Sequence, residues 1–525
     1  MTYPSGHFRT LNCYKKSNIA MNVAQVLINS VKKFHSKPAI IFRDKPISFL
    51  ELYDNVFKLA NGLLALGIKK ADRVAIYLPN NPEYIYSYLA LFSIGATVVP
   101  LDYMLTEDEL VSCLTHCEAK ALIAKEKERL SLENLKKRVP SLENIIAFEG
   151  TNSRYQSFQD VLASGRPLPA QNIKIEESDH ALIMYTSGTT GSPKGILLNY
   201  KHLDGSPKAM EYFVDLTDKD VKISALPLSH SGGLVYIQNC ICYGITLVLM
   251  ERFQPLEFLR NIQKYKVTCF HLVPSMYYAI MNLKEFESFD LSSLRWVVVF
   301  GAPSDPHSLR RFQQYCPKAH LLNGWGLTET CPPNTVIPLG SKKIESIGKP
   351  APWVEVKIAA LDDTELPRGE VGEIIIKGWV VMEGYYKDPK TTAEVIKNGW
   401  FHTGDLGRFD EEGFLYIVGR KKDMIKVSGE IVYSFEVENV LLKHPSVQEA
   451  AVVGIPDKLR GEIVKAFVVL KKGIDIEAAE DIRLFCREHL AHFKVPHNVE
   501  IRESLPKTPS GKIQKETLKS RNRAE

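Results

Sequence analysis

Short runs of apolar, mostly β-branched residues alternate with stretches of helical periodicity through most of the chain. The runs at 39–42, 74–78, 121–124, 181–185, 247–250 and 296–300 contain no polar interruption, as expected of strands covered on both faces. The alternation predicts an α/β fold, with a large domain of mainly parallel sheets wrapped by helices. From about residue 354 the texture changes. Runs at 355–359, 372–377 and 413–418 are shorter and separated by turns, predicting a small β-rich subdomain over about 350–419. Gly419 is followed by the charged cluster Arg420-Lys-Lys-Asp423 and then by a tail in which 435–442 and 481–490 have helical spacing, while 450–453 and 466–470 resemble strands. That is material for an α+β domain of roughly 100 residues, so the expected division is 1–419 and 420–525. No internal repeat interrupts this order.

Two uncharged stretches, 84–101 and 230–250, are long enough to raise the question of a membrane span. Gly95 and Pro100 break the first, and Gly232, Gly233 and Gly244 break the second. Each therefore reads as a buried helix that turns through glycine into a buried strand, at 96–99 and 245–249. The N-terminus has no apolar signal core, although it lacks acidic residues until Asp44. Val23, Val26 and Leu27, ahead of Pro38, fit a first domain helix better than a transit peptide.

With 525 residues, two or more domains are expected. Hydrophobic residues at 45% and charged residues at 24% exclude a disordered chain, and a net charge of +5 without a long basic run gives no nucleic-acid surface. The nine cysteines are scattered. Cys113 and Cys117 flank His116, but no second ligand pair lies nearby, so free thiols in a reducing compartment, the cytoplasm, are expected.

The most specific local signal is Tyr185-Thr-Ser-Gly-Thr-Thr-Gly-Ser-Pro-Lys-Gly195, directly after an apolar strand. Glycines among hydroxyl residues make a loop whose backbone amides can wrap anionic oxygens, with Lys194 as a further donor. The P-loop NTPase pattern is absent, because the lysine is not part of a Gly-Lys-Ser/Thr run. A mobile surface loop is the alternative reading of the composition. Further segments follow in order: Pro227-Leu-Ser-His-Ser-Gly-Gly233, Asn323-Gly-Trp-Gly-Leu-Thr-Glu-Thr330, Ser346-Ile-Gly-Lys-Pro350, Trp400-Phe-His-Thr-Gly-Asp-Leu406, Gly419-Arg-Lys-Lys-Asp423 and Pro506-Lys-Thr-Pro-Ser-Gly-Lys512. On these segments nearly the whole chain resembles the adenylate-forming superfamily of acyl-CoA synthetases, peptide-synthetase adenylation domains and beetle luciferases.

The resemblance implies an ATP-dependent ligase that joins a carboxylic acid to AMP, releases pyrophosphate and passes the acyl group to coenzyme A. A transition state that gathers charge on phosphoryl oxygens requires amides, cations and Mg²⁺. The resemblance assigns the β- and γ-phosphates to Thr186, Ser187, Gly188, Thr189, Thr190, Gly191 and Lys194, the α-phosphate to Thr328, and Mg²⁺ to Glu329. Gly301, Ala302, Pro303, Asn323, Gly324, Gly326 and Ile417 fall among the nucleotide-binding positions. Trp325 takes the place of an aromatic that stacks on adenine; alone it would read as core, but glycines on either side suggest close approach of a ligand. Asp405 would accept both ribose hydroxyls, with Arg420 beside it. Lys512 would bond the substrate carboxylate and the α-phosphate during adenylation.

Because Lys512 follows the charged cluster by some ninety residues, the resemblance also implies a mobile C-terminal domain that pivots at Lys422. Lys426 would face the nucleotide, and Ser428 and Gly429 would line the pantetheine channel. His230 takes a position near the acyl carboxylate; a structural histidine is the alternative. The acyl pocket would use Val235, Tyr236, Phe300, Gly301, Ala302, Cys331 and Pro332. Two departures stand out: Phe300 replaces a glycine beside this pocket, and Ser428-Gly-Glu-Ile-Val-Tyr-Ser434 lacks the usual Gly-Gly pair and later proline. The leading expectation is a fatty or related apolar acid:CoA ligase. Loading of a carrier protein, an aryl or carnitine-type acid, and a non-catalytic nucleotide-binding relative remain alternatives, and a monomer and a homodimer are both compatible with the chain.

Overall fold

The computed structural model describes residues 22–128, 130–149, 154–186, 194–300, 306–471, 478–507 and 513–521. Strands of uniformly apolar sequence, such as Ala121–Ala124 and Trp296–Val299, are buried at every residue. They occupy the middles of two large sheets, where both faces are covered. One sheet runs, edge to edge, through Lys349–Pro350, Thr335–Val336, His320–Trp325, Trp296–Val299, Cys269–Leu272, Val221–Ser224, Thr246–Leu249, Pro38–Phe42 and Lys45–Ser48. The other runs through Gly384–Tyr385, Lys194–Asn199, His180–Thr186, Thr97–Pro100, Arg73–Tyr77, Ala121–Ala124, Asn144–Ala147 and Gln156–Ser157. Central pairings are parallel and antiparallel pairs flank them. This is the expected α/β architecture.

The two uncharged stretches fold as their glycines predict. Asn81 caps Pro82–Ser93, and Gly95 at φ +73° turns the chain into Thr97–Pro100. Ser231–Tyr243 ends at Gly244, φ +69°, where a Cβ would also lie 2.0 Å from the Phe34 ring. Only glycine meets both demands. Val23–Phe34 is the first helix among the described residues. Among the described residues no helix is long and apolar enough to cross a membrane.

Side-chain alternation along the first sheet decides what faces the site. Ile223, Phe270, Leu272, Val297 and Val299 pack into one core, while Cys269, Trp296 and Val298 enter the core shared with Ser231–Tyr243. A β-rich antiparallel sheet follows, from Glu355–Ala359, Gly372–Lys377, Ile396–Lys397, Trp400–Phe409 and Leu415–Arg420. Its last strand was expected at 413–418; it lies two residues later because Gly413, at φ +78°, forms the turn.

The final sheet holds Met424–Val427, Glu430–Tyr433, Val447–Asp457, Gly461–Leu470 and Asn498–Ile501 and has its own core around Val432, Val437, Val452 and Ile482. The strands expected at 450–453 and 466–470 are parts of a longer hairpin that pairs Val447 with Leu470 and Asp457 with Gly461. Gly454, which masked the strand in the sequence, makes room for Glu462: a Cβ there would lie 2.6 Å from its Oε1.

Eight cysteines are free and buried, and Cys13 lies outside the described residues. His116, between Cys113 and Cys117, hydrogen-bonds through Nδ1 to the Tyr185 hydroxyl at 2.7 Å. Among the described residues no group of three His, Cys, Asp or Glu side chains is placed to hold a metal.

Candidate functional site

The carboxyl ends of parallel strands are where open α/β sheets bind ligands, and the candidate residues gather there. The glycine-rich loop joins the antiparallel strands His180–Thr186 and Lys194–Asn199, with Thr186 paired to Lys194 at its base. Ser187, Gly188, Thr189, Thr190 and Gly191 lie outside the described residues, as do Gly301, Ala302, Pro303 and Lys512. The Lys194 ammonium stands 5.6 Å from the centre of the Tyr385 ring. The Tyr385 hydroxyl in turn donates to Glu329 Oε1 at 3.4 Å. Two backbone bonds hold this contact: Met382 N–H to Glu329 O and Tyr386 N–H to Gly195 O, both 2.7 Å. Burial pushes the Glu329 carboxyl above the usual range, and Asp405 adds to this, while Tyr385 and Arg420 pull the other way.

A second constellation adjoins the first. Trp325 ends the strand His320–Trp325, buried, and its Nε1–H donates to Asp405 Oδ2 at 2.8 Å. Arg420 Nε meets Oδ1 of the same carboxylate at 2.9 Å, across the register that pairs Asp405 with Arg420. The turn presenting Asp405 is fastened by Glu373, whose carboxylate accepts the Gly404 N–H at 3.0 Å and binds Lys421 Nζ at 2.8 Å and His402 Nδ1 at 3.2 Å. Burial opposes the charge on Glu373, but Lys421 and His402 keep its carboxyl below the usual range. Ile417 packs against the large core nearby. Thr328 opens the short 3₁₀ turn Thr328–Thr330, and Asn323 lies buried in the strand before it.

Packing within the protein also requires the glycines around Trp325. A Cβ on Gly324 would lie 2.3 Å from the Phe300 ring, and one on Gly326 would lie 2.6 Å from Pro332. Their neighbours are protein atoms. Phe300 therefore sits over Gly324, and its ring centre is 5.6 Å from that of His271.

His230, just ahead of helix Ser231–Tyr243, binds Asp102 Oδ2 through Nε2 at 2.9 Å. Burial raises the Asp102 carboxyl, but bonds from His230 and from the Met104 N–H outweigh it and hold the carboxyl low. Val235, Tyr236 and Cys331 are buried, and Pro332 is partly so. The Tyr236 hydroxyl accepts the His271 N–H at 2.7 Å. Burial pushes the Cys331 thiol up to about 12, so it packs as an inert apolar group.

Lys422 and Lys426 are exposed. Ser428 at φ +53° and Gly429 at φ +91° form the exposed two-residue turn between Met424–Val427 and Glu430–Tyr433. Paired positive φ values are what a two-residue hairpin turn requires, and they favour glycine at 429. Lys507 and Ile513 form an isolated bridge that brackets the segment containing Lys512. Sequence reasoning missed Tyr385, Glu373 and Asp102. Each acts through a partner far away in the chain, and no local pattern marks it.

The AMP-binding enzyme family model matches residues 27–386, and that for the AMP-binding enzyme C-terminal domain matches 436–512. The chain is 34% identical to a long-chain-fatty-acid–CoA ligase of Bacillus subtilis, over 94% of this chain and 93% of the relative. It is 35% identical to a feruloyl-CoA synthase of Amycolatopsis, over 90% and 94%. A crystal structure of an anthranilate CoA ligase in complex with anthranoyl-AMP superposes with a TM-score of 0.91 at 27% identity, covering 97% of this chain and 98% of the other.

Proposed function

Because this chain belongs to the AMP-binding enzyme family and is an AMP-forming acid–CoA ligase that uses ATP and CoA, we propose that it activates an acid with an apolar body through the residues described above. The observation that carries the reading is the meeting, between three sheets, of Lys194, Tyr385 and Glu329 with Trp325, Asp405 and Arg420. Segments more than two hundred residues apart thereby place a cation, a part-open carboxylate and an anchored carboxylate side by side.

A carboxylate is a poor electrophile because an oxide would have to leave. Attack of its oxygen on the α-phosphorus of ATP forms acyl-AMP and releases pyrophosphate, and AMP is a good leaving group. Lys194 and the loop 186–191 hold the β- and γ-phosphates, Thr328 the α-phosphate. Trp325 offers its face to adenine while its N–H orients Asp405, whose remaining lone pairs take the ribose hydroxyls. Arg420 and Ile417 close this side. Glu329 fits a hard cation: among the described residues its carboxylate takes one long hydrogen bond, from Tyr385, and burial disfavours its charge in the absence of a counter-ion. Mg²⁺ held there with phosphate oxygens would neutralise charge developing during transfer.

Lys512 brings carboxylate and α-phosphate together, as a flexible point cation can. The C-terminal unit, 420–525, turns at Lys422 to deliver it and then to admit the thiol past Ser428 and Gly429, with Lys426 toward the nucleotide. His230, oriented by Asp102, stands where the thiol meets the acyl-adenylate. The acyl body packs against Val235, Tyr236, Phe300 and Cys331, which are continuous with the large core. We place the reaction in the cytoplasm, which suits eight buried free thiols. ATP–pyrophosphate exchange measured across a panel of carboxylic acids tests the reading: exchange must depend on the acid, and release of AMP must follow addition of CoA. Exchange with no acid in the panel, or acyl transfer without ATP, would overturn it.

A further inference from the structure

Beneath the acyl-pocket residues lies a set of polar side chains that the adenylation chemistry does not use. Lys222, in the middle of the strand Val221–Ser224, has no exposed surface, and among the described residues its Nζ has no hydrogen-bond partner. It is held between two rings, 4.7 Å from the centre of Tyr236 and 5.1 Å from that of Trp296. His271 Nε2, Trp296 Nε1 and both amide atoms of the fully buried Asn239 are likewise unpartnered among the described residues. The His271 ring centre lies 5.2 Å from Tyr236 and 5.7 Å from Trp296. Asn239 follows Tyr236 by three residues on helix Ser231–Tyr243, and so shares its face.

Ring faces attract an ammonium but accept none of its hydrogen bonds, and a buried cation without an acceptor is unfavourable. Asp220, the nearby acid, is committed elsewhere. Its carboxylate takes two bonds from Arg295 at 2.6 and 2.7 Å, one from Thr268 at 2.7 Å and the Thr217 N–H at 2.9 Å. Burial brings the Lys222 ammonium down to about 8, which leaves it protonated at neutral pH. Trp296 supplies a donor only, and Asn239 supplies two donors and an acceptor. The group as a whole is short of acceptors.

We propose that Lys222, Trp296, Asn239 and His271 form the floor of the acyl pocket and bind a second carboxylate, at the far end of the acid whose first carboxylate is adenylated. The inference rests on the acid-activation reading given above. The span agrees with it. Lys222 is level with Cys269, and Cys269 with Trp296. Phe300 at the strand edge lies four residues beyond Trp296, a rise of about 13 Å at roughly 3.3 Å per residue. Phe300 contacts His271, and His271 contacts Tyr236 and Trp296, so packed rings link the edge to the floor along one face. An acid with a chain or ring system of about that length, apolar in its body and anionic at both ends, matches it.

Decanedioic acid and decanoic acid differ only in the distal carboxylate and make the test. Pyrophosphate release by the full-length enzyme is expected to favour the diacid by roughly tenfold or more in kcat/KM, the scale of one charge-assisted hydrogen bond. Lys222→Met keeps the length and apolar stem, removes only the ammonium, and is expected to erase that preference by lowering kcat/KM for the diacid roughly tenfold more than for decanoic acid. Equal use of the two acids by the parent enzyme, or equal losses on both in the variant, would overturn the proposal. Acid-induced rises in melting temperature separate its failure from that of the parent reading. If neither acid releases pyrophosphate, a rise with decanedioate that is larger than with decanoate and absent in Lys222→Met still supports the carboxylate floor, and indistinguishable rises overturn it.

Discussion

Replacing Asp405 with asparagine removes a charge and one acceptor while leaving the shape of the side chain nearly unchanged. In the structure each carboxylate oxygen already accepts one bond, Oδ2 from Trp325 at 2.8 Å and Oδ1 from Arg420 at 2.9 Å. A carboxylate has roughly four lone-pair positions, so about two remain, enough for the two hydroxyls of a ribose. An amide has no such surplus. Whichever way it turns, its NH₂ faces either the indole N–H or the guanidinium, two donors that can give it nothing. The oxygen then serves one protein partner and at most one hydroxyl. Loss of one charge-assisted bond to the nucleotide costs about 1.5–3 kcal/mol, or roughly 10- to 150-fold in affinity. Calorimetric titration of ATP into Asp405→Asn measures it. Trp325→Phe is the companion, since it keeps a ring for adenine and withdraws only the N–H; its loss is expected to be smaller. An Asp405→Asn protein that binds ATP with the parent Kd would show that this carboxylate is structural and that the ribose is held elsewhere.

Two further predictions follow from packing and titration. Gly324→Ala drives a methyl group to 2.3 Å from the Phe300 ring and 3.0 Å from Thr335 O; a destabilisation of about 1–3 kcal/mol is expected in denaturant unfolding. Adding Phe300→Ala recovers most of it, and a double variant as unstable as the sum of the singles contradicts the contact. His202 is buried with Nδ1 accepting the Asn199 N–H at 2.8 Å, so Nε2 carries the proton bonded to Val381 O, also 2.8 Å. Burial, with Lys201, lowers its pKa from 6.5 to about 4. The unfolded chain therefore takes up this proton first, and stability present above pH 6.5 is lost as pH falls toward 4, by up to about 3 kcal/mol. In His202→Gln the fall in melting temperature over that window is shallower; an unchanged slope sinks the assignment.

The parallel strands were legible because burial on both faces leaves no polar alternation to misread, as in Trp296–Val299. The helix–glycine–strand passages at Gly95 and Gly244 were legible because a left-handed turn has few residues to choose from. What escaped was whatever depends on a distant partner. Asp102 meets His230 across 128 positions, and Glu373 meets Lys421 across 48. Lys222 reads in a sequence as a solvated strand residue, and only the packing of Tyr236 and Trp296 around it shows otherwise. The glycines beside Trp325 also answer to packing that no local pattern shows, because Phe300 and Pro332 lie against them.

The central claim is that a lysine from the end of the chain serves the first half-reaction and not the second. The direct measurement compares Lys512→Ala with the parent enzyme in two assays: acid-dependent ATP–pyrophosphate exchange, and thioester formation from preformed acyl-AMP and CoA. The account predicts exchange slowed by orders of magnitude, since positioning of two anions by one cation is lost, with thioester formation close to that of the parent. Exchange at near-parental rates, or equal losses in both assays, would contradict it.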